Sequence, residues 1–117
     1  MKKLNFLPKY KNWILEGKKF RTVRLGNDYI KKFKVGDKIE ITIADDLKNA
    51  QKIAEAEITE LVLKKIKEVR KEEVIGDPEA WPKSSLVSIL NEIYSKRIGR
   101  KVKEDDYVTI IKFRVIK

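Results

Sequence analysis

The sequence predicts a small α+β fold: a β-barrel or strongly bent mixed sheet with flanking helices. Three observations carry this expectation. Period-two and β-branched runs at 20–25, 39–43, 54–58 and 107–116 read as strands. Leu86, Ile89, Leu90, Ile93 and Tyr94 recur at i, i+3, i+4, i+7 and i+8, the clearest amphipathic helix in the chain. The connections between strands are long, so the helices are expected to pack on the outside of the sheet. At 117 residues the chain is expected to form one domain, 1–117, with a single ordinary core.

The elements follow in order. Pro8 opens a short helix, because its missing N–H costs nothing in a first turn. Tyr10, Trp13 and Ile14 then lie on one stripe, and Trp13 reads as core. Gly17 fits the position just past the helix end. From Phe20 to Leu25 the chain runs extended, with Phe20, Thr22 and Arg24 on one face and Arg21 and Val23 on the other. Gly36-Asp37 turns the chain into the strand Ile39–Ile43. Asp45 to Gln51 connects it to a second half-buried strand, in which Ala54, Ala56 and Ile58 alternate with Glu55, Glu57 and Thr59.

Residues 60–75 are rich in Lys and Glu, with apolar residues at mixed spacings, and a short helix is predicted from near Lys64. Gly76-Asp77-Pro78 is a break. Pro82 to Ser85 reads as the entrance of the amphipathic helix, with Ser84 or Ser85 as N-cap. That helix ends before Gly99. Tyr107–Ile116 is the closing strand.

Composition removes several chemistries. There is no cysteine and no histidine. Disulfides, thiolate metal sites and cysteine nucleophiles are excluded, as are a Ser-His-Asp triad and a histidine general base. Any metal site would be all-oxygen, and no clustered acidic loop of that kind is visible, so neither metal nor cofactor is expected. No run of 18 or more apolar residues exists and no apolar leader precedes Pro8, so no membrane association is expected and the location is expected to be cytoplasmic. Abundant Lys and Glu, with one Met and one Gln, match a hyperthermophile protein with surface ion-pair networks. A monomer is expected.

The net charge is +10 and is unevenly placed: residues 1–40 carry +8 and residues 41–117 only +2. A basic face draws polyanions and speeds their association. The densest stretch is Gly17-Lys18-Lys19-Phe20-Arg21-Thr22-Val23-Arg24, with four cations in eight residues. Arg24 is the strongest functional candidate, since a guanidinium presents a planar fork to phosphate or carboxylate. The plainer reading of Arg24 is a salt bridge to an acid such as Asp37.

The spacing Gly17-x-Lys19-x-x-Thr22-x-Arg24, followed by Val35-Gly36-Asp37, the late-helix pair Ile93-Tyr94 and the closing run Ile110-Ile111-Lys112-Phe113, resembles the ASCH family of the PUA-like barrel superfamily. The likeness spans nearly the whole chain. It implies a PUA-like β-barrel with a cleft beside the motif strand, binding RNA or nucleotides. Some members are small amidohydrolases acting on N(4)-acetylcytidine through a lysine, a threonine and a glutamate. At least one relative is a ribonuclease. Carried over by position, the lysine falls on Lys19 and the threonine on Thr22. Counting back from Ile93-Tyr94, the glutamate falls on Glu79, with Glu72 or Glu73 as alternatives.

These residues are chemically coherent. A threonine hydroxyl needs a base. A lysine becomes one when burial or neighbouring cations lower its pKa. A glutamate can protonate a leaving amine. The plainer readings are a phosphate-binding or solvated Lys19, a Thr22 that bonds backbone at a strand start, and a Glu79 favoured by a helix dipole.

Two functions therefore stand side by side. The first, favoured by the charge asymmetry, is RNA or nucleotide binding through Lys18, Lys19, Arg21 and Arg24, with Trp81 stacking on a base or lidding the core. The second is metal-independent hydrolysis of an acylated nucleoside by Lys19, Thr22 and Glu79. A ribonuclease ranks below both, because the chain has no histidine for acid–base cleavage.

Overall fold

The computed structural model describes residues 1–116, the side chain of Leu47 apart. Five strands form one mixed, curled sheet in the order β1-β3-β4-β5-β2. They are β1 (Lys2–Phe6), β2 (Arg21–Leu25), β3 (Lys38–Ile43), β4 (Gln51–Lys65) and β5 (Tyr107–Ile116). β1 runs parallel to β3, and every other pairing is antiparallel. Three helices flank the sheet: α1 (Lys11–Leu15), α2 (Asp28–Lys32) and α3 (Lys83–Ile98). This is the α+β bent-sheet architecture that the sequence predicts.

β5 lies inside the sheet between β4 and β2, and its two faces separate two cores. Ile111 and Phe113 join Leu4, Phe6, Ile39 and Ile41 in one cluster. Val108 and Ile110 join Val23, Ile66, Leu86 and Leu90 in the other. A strand buried on both faces reads as a continuous apolar run, which is why 107–116 is so legible. The curl comes from two register shifts, at Ile41/Thr42 in β3 and at Ile58/Glu60 in β4. The extra residue at the second is Thr59, whose buried Oγ1 has no hydrogen-bond partner among the described residues. An inserted residue bends a strand and increases its twist.

The helix start behaves as the sequence implies. Pro8 opens a single 3-10 turn, Pro8–Tyr10, that leads into α1. Gly17, at φ +77°, lets the chain turn back, and the N–H groups of Lys18 and Lys19 both bond to Trp13 O. Trp13 is half-buried against the first core rather than within it.

Four expectations change. No helix begins near Lys64: β4 runs on to Lys65, paired residue by residue with β5 as far as Tyr107. The ten-residue β5 supplies a ladder that outweighs the helical propensity of Lys and Glu, a tertiary override. Between β4 and α3 the chain makes two 3-10 turns, Ile66–Glu68 and Lys71–Val74, and Ile66, Val69 and Val74 sit in the second core. Neither Ser84 nor Ser85 caps α3. Pro82 stands at the N-cap, and its carbonyl accepts from the N–H groups of Ser85 and Leu86. Asp37 takes its partners from Lys2 and the Lys34 N–H, not from Arg24. Finally, β1 and α2 carry no strong periodicity, and both are additions to the predicted set.

Candidate active site

β1 and β2 are the two edge strands, and the curl brings them to face one another. A cavity of about 610 Å³ lies between them where the two cores meet, roofed by α3. Phe6 and Tyr10 wall it from one core, and Val23, Ala80, Leu86 and Leu90 from the other. Lys19, Thr22, Arg24 and Glu79 all line it. The strand alternation inferred from sequence explains part of this: Thr22 and Arg24 share one face of β2. Phe20 does not join them. Its ring lies over Gly76, where an added Cβ would come within 2.5 Å of it.

Lys19 and Thr22 are 4% and 5% exposed, which makes them two of the few buried polar side chains in the protein. Lys19 Nζ lies 3.0 Å from Asp77 Oδ1 and sits 4.9 Å from the Tyr10 ring centroid. Burial pushes the Lys19 pKa below the ordinary lysine value. The Asp77 carboxylate opposes that shift, and the Arg24 guanidinium adds to it. A buried ammonium held down by desolvation is the state from which a lysine can act as a base.

Asp77 Oδ1 also accepts the Glu79 backbone N–H at 3.4 Å. One carboxylate thus ties the lysine to the segment that carries the glutamate. Glu79 Oε2 lies 3.7 Å from Lys9 Nζ, while Oε1 is buried without a hydrogen-bond partner among the described residues. The neighbouring Glu79 and burial together raise the pKa of the Tyr10 hydroxyl, burial being the larger cause. An unsatisfied buried carboxylate oxygen is costly, on the order of 1–3 kcal/mol, and is a natural bonding point for a ligand N–H or O–H.

Arg24 is committed within the protein. Its Nε donates to Thr22 Oγ1 at 3.0 Å, Nη1 to the Tyr29 hydroxyl at 3.2 Å and Nη2 to Asn5 O at 2.8 Å. Its guanidinium lies 4.8 Å from the Phe6 ring centroid. The bond to Asn5 clasps one edge strand to the other. The bond to Thr22 leaves the hydroxyl proton of Thr22 free to be given away and places a positive charge beside the oxygen that would become anionic.

The remaining predicted binders lie elsewhere. Lys18 is exposed and pairs with Glu16 at 3.6 Å. Arg21 points to the opposite face, where it donates to the carbonyls of Glu72 and Ile75 and pairs with Glu60. Trp81, 37% exposed, lines a shallower groove of about 400 Å³ beside α3 that shares Glu79 with the main cavity. Of the two alternatives to Glu79, Glu73 is bound to Lys64 at 2.7 Å, and Glu72 lines only a small depression on the Arg21 face. Sequence reasoning missed Asp77, Tyr29 and Asn5. Among the described residues no group of three or more acidic side chains is placed to hold a metal ion.

No protein-family model and no curated protein sequence matches the chain. Solved structures do match its fold. An ASCH domain from Lactobacillus crispatus superposes with a TM-score of 0.70 at 18% identity, over 97% of this chain and 79% of that one. An Enterococcus faecalis protein of the family DUF984 gives a TM-score of 0.69 at 14% identity, over 92% and 67%. A third structure, of a hypothetical protein, gives 0.67 at 21% identity over 99% of this chain and 100% of that one. The chain shares the fold of an ASCH domain.

Proposed function

We propose that this protein is a metal-independent amidohydrolase that removes the acyl group from an N-acylated nucleoside of the N(4)-acetylcytidine type. One observation carries the reading: Lys19 and Thr22, almost wholly buried, line the same cavity as Glu79. A lysine kept only to grip phosphate gains nothing from such burial, whereas a lysine that must lose its proton does.

In this reading Thr22 Oγ attacks the acyl carbonyl as Lys19 takes the hydroxyl proton. The carbonyl oxygen becomes an oxyanion in the field of the Arg24 guanidinium, whose hydrogen bonds stay with Thr22, Tyr29 and Asn5. Glu79 gives a proton to the departing amine, the C–N bond breaks, and the acyl group rests on Thr22. Water then attacks the ester, loses a proton to Glu79, and the carboxylic acid leaves as Thr22 recovers its proton from Lys19. Acyl transfer of this kind needs a nucleophile, a base, an acid and an oxyanion partner, and the four residues supply these roles. The test is cytidine release from N(4)-acetylcytidine by the purified protein; absence of release contradicts the reading.

A second reading, polyanion binding, draws on the +8 charge of residues 1–40. The exposed lysines of α2 and its flank, Lys31, Lys32 and Lys34, support it, on a surface outside the cavity. Its test is RNA affinity across a salt titration, which falls steeply when phosphates are neutralised by lysines.

A further inference from the structure

The charge inside the cavity runs against the charge of the whole chain. Three cations line it: Lys19, Arg24 and Arg97. Five carboxylates line it with them: Asp45, Asp46, Asp77, Glu79 and Glu92. The cavity is therefore acidic in a protein of net charge +10.

The cations are also the less available of the two sets. Lys19 is held by Asp77. Arg24 spends its fork on Thr22, Tyr29 and Asn5. Arg97 is exposed at the rim and lies over the Tyr94 ring at 5.5 Å. Against it stand three exposed carboxylates, Asp45 and Asp46 after β3 and Glu92 on α3. A phosphate entering here gives up hydration without gaining an uncommitted cation inside, which is unfavourable. The distant lysines do not compensate, because surface charges are screened beyond about 8 Å at physiological salt. An uncharged nucleoside avoids this penalty and meets the aromatic faces of Phe6, Tyr29 and Tyr94.

We propose that Asp45, Asp46 and Glu92 form a charge filter at the cavity mouth that admits neutral nucleosides and rejects nucleotides and nucleic acid. The identity of the probe ligand rests on the acyl-nucleoside reading above, but the filter is tested by binding alone. Cytidine and cytidine 5′-monophosphate are titrated into the full-length protein by calorimetry at low and at physiological salt. Cytidine is expected to bind about tenfold more tightly or better, with the gap narrowing as salt rises. The triple variant Asp45→Asn, Asp46→Asn, Glu92→Gln is expected to keep its cytidine affinity and to lose most of the gap. These positions are exposed, and an unchanged melting temperature verifies that the variant is folded. Equal or tighter binding of the monophosphate overturns the filter, as does binding of neither ligand or a gap that survives the variant. Turnover of N(4)-acetylcytidine, measured in parallel, separates the two ideas. Selective cytidine binding without turnover leaves the filter standing and removes the hydrolase, whereas turnover without selectivity does the reverse.

Discussion

Lys19 Nζ lies 3.0 Å from Asp77 Oδ1, with the two side chains 4% and 10% exposed. The pair joins the end of the β2 approach to the Gly76-Asp77-Pro78 turn, and so ties Lys19 to the segment that carries Glu79. Breaking one side of a buried pair leaves an uncompensated charge, which is why the relationship is as much structural as chemical.

Asp77→Asn keeps the shape of the carboxylate and removes its charge. Asp77 opposes the lowering of the Lys19 pKa, so its neutralisation lets that pKa fall further. If neutral Lys19 is the base, the rising limb of kcat/KM against pH moves to lower pH in the variant. The pH profile of acetylcytidine hydrolysis checks this. A merely structural role for Asp77 lowers activity at every pH without moving the limb.

Lys19 also links folding to pH. Its folded-state pKa is below the ordinary value, so between the two values the unfolded chain binds more protons. Stability from this group therefore rises with pH through that window, the cost of its burial being full below the lowered pKa and gone above the ordinary one. Lys52 and Lys67, whose pKa values are raised by Glu55 and Asp105, act in the opposite direction. Urea denaturation at a series of alkaline pH values isolates Lys19 as the difference between the native protein and Lys19→Met. The native protein is expected to gain stability relative to the variant as pH rises.

The sequence makes Arg24 the strongest candidate for phosphate recognition, yet its donors are turned inward to Thr22, Tyr29 and Asn5. Arg24→Ala is expected to lower folding stability by about 2–3 kcal/mol, since it deletes charge-assisted hydrogen bonds and the clasp between the edge strands. Arg24→Lys retains the charge but not the fork, and is expected to recover only part of the loss. Denaturant melts of both variants check the prediction. A free phosphate-binding arginine would give losses under 0.5 kcal/mol, as surface substitutions commonly do.

Much of this was legible in the sequence, for reasons that differ by element. β5 and α3 carry dense apolar patterns that survive any context. The turn at Gly17 and the alternation of Thr22 and Arg24 follow from local geometry, and they put both residues on the cavity face. The short edge strand β1 has too few residues to show a period. The Lys64 region shows the converse: its Lys/Glu composition favours helix, and only pairing with β5 makes it strand. Asp77 reads in the sequence as part of a break because nothing local marks a buried ion pair. Its partner is 58 positions earlier in the chain, and only the folded sheet brings them together. The basic motif was the most visible feature of the sequence and the least direct guide. Lys18 and Arg21 face away from the cavity, and the cations that do line it sit among more carboxylates than cations.

The most direct measurement is acetylcytidine turnover by Thr22→Val and Thr22→Ser beside the native protein. Valine keeps the shape and removes the nucleophilic oxygen, while serine restores a hydroxyl on the same carbon. The account predicts that valine lowers kcat by a factor of about 10² or more, and that serine recovers a measurable part of it with an acetyl group found on residue 22 by peptide mass analysis. Undiminished turnover in Thr22→Val would contradict it.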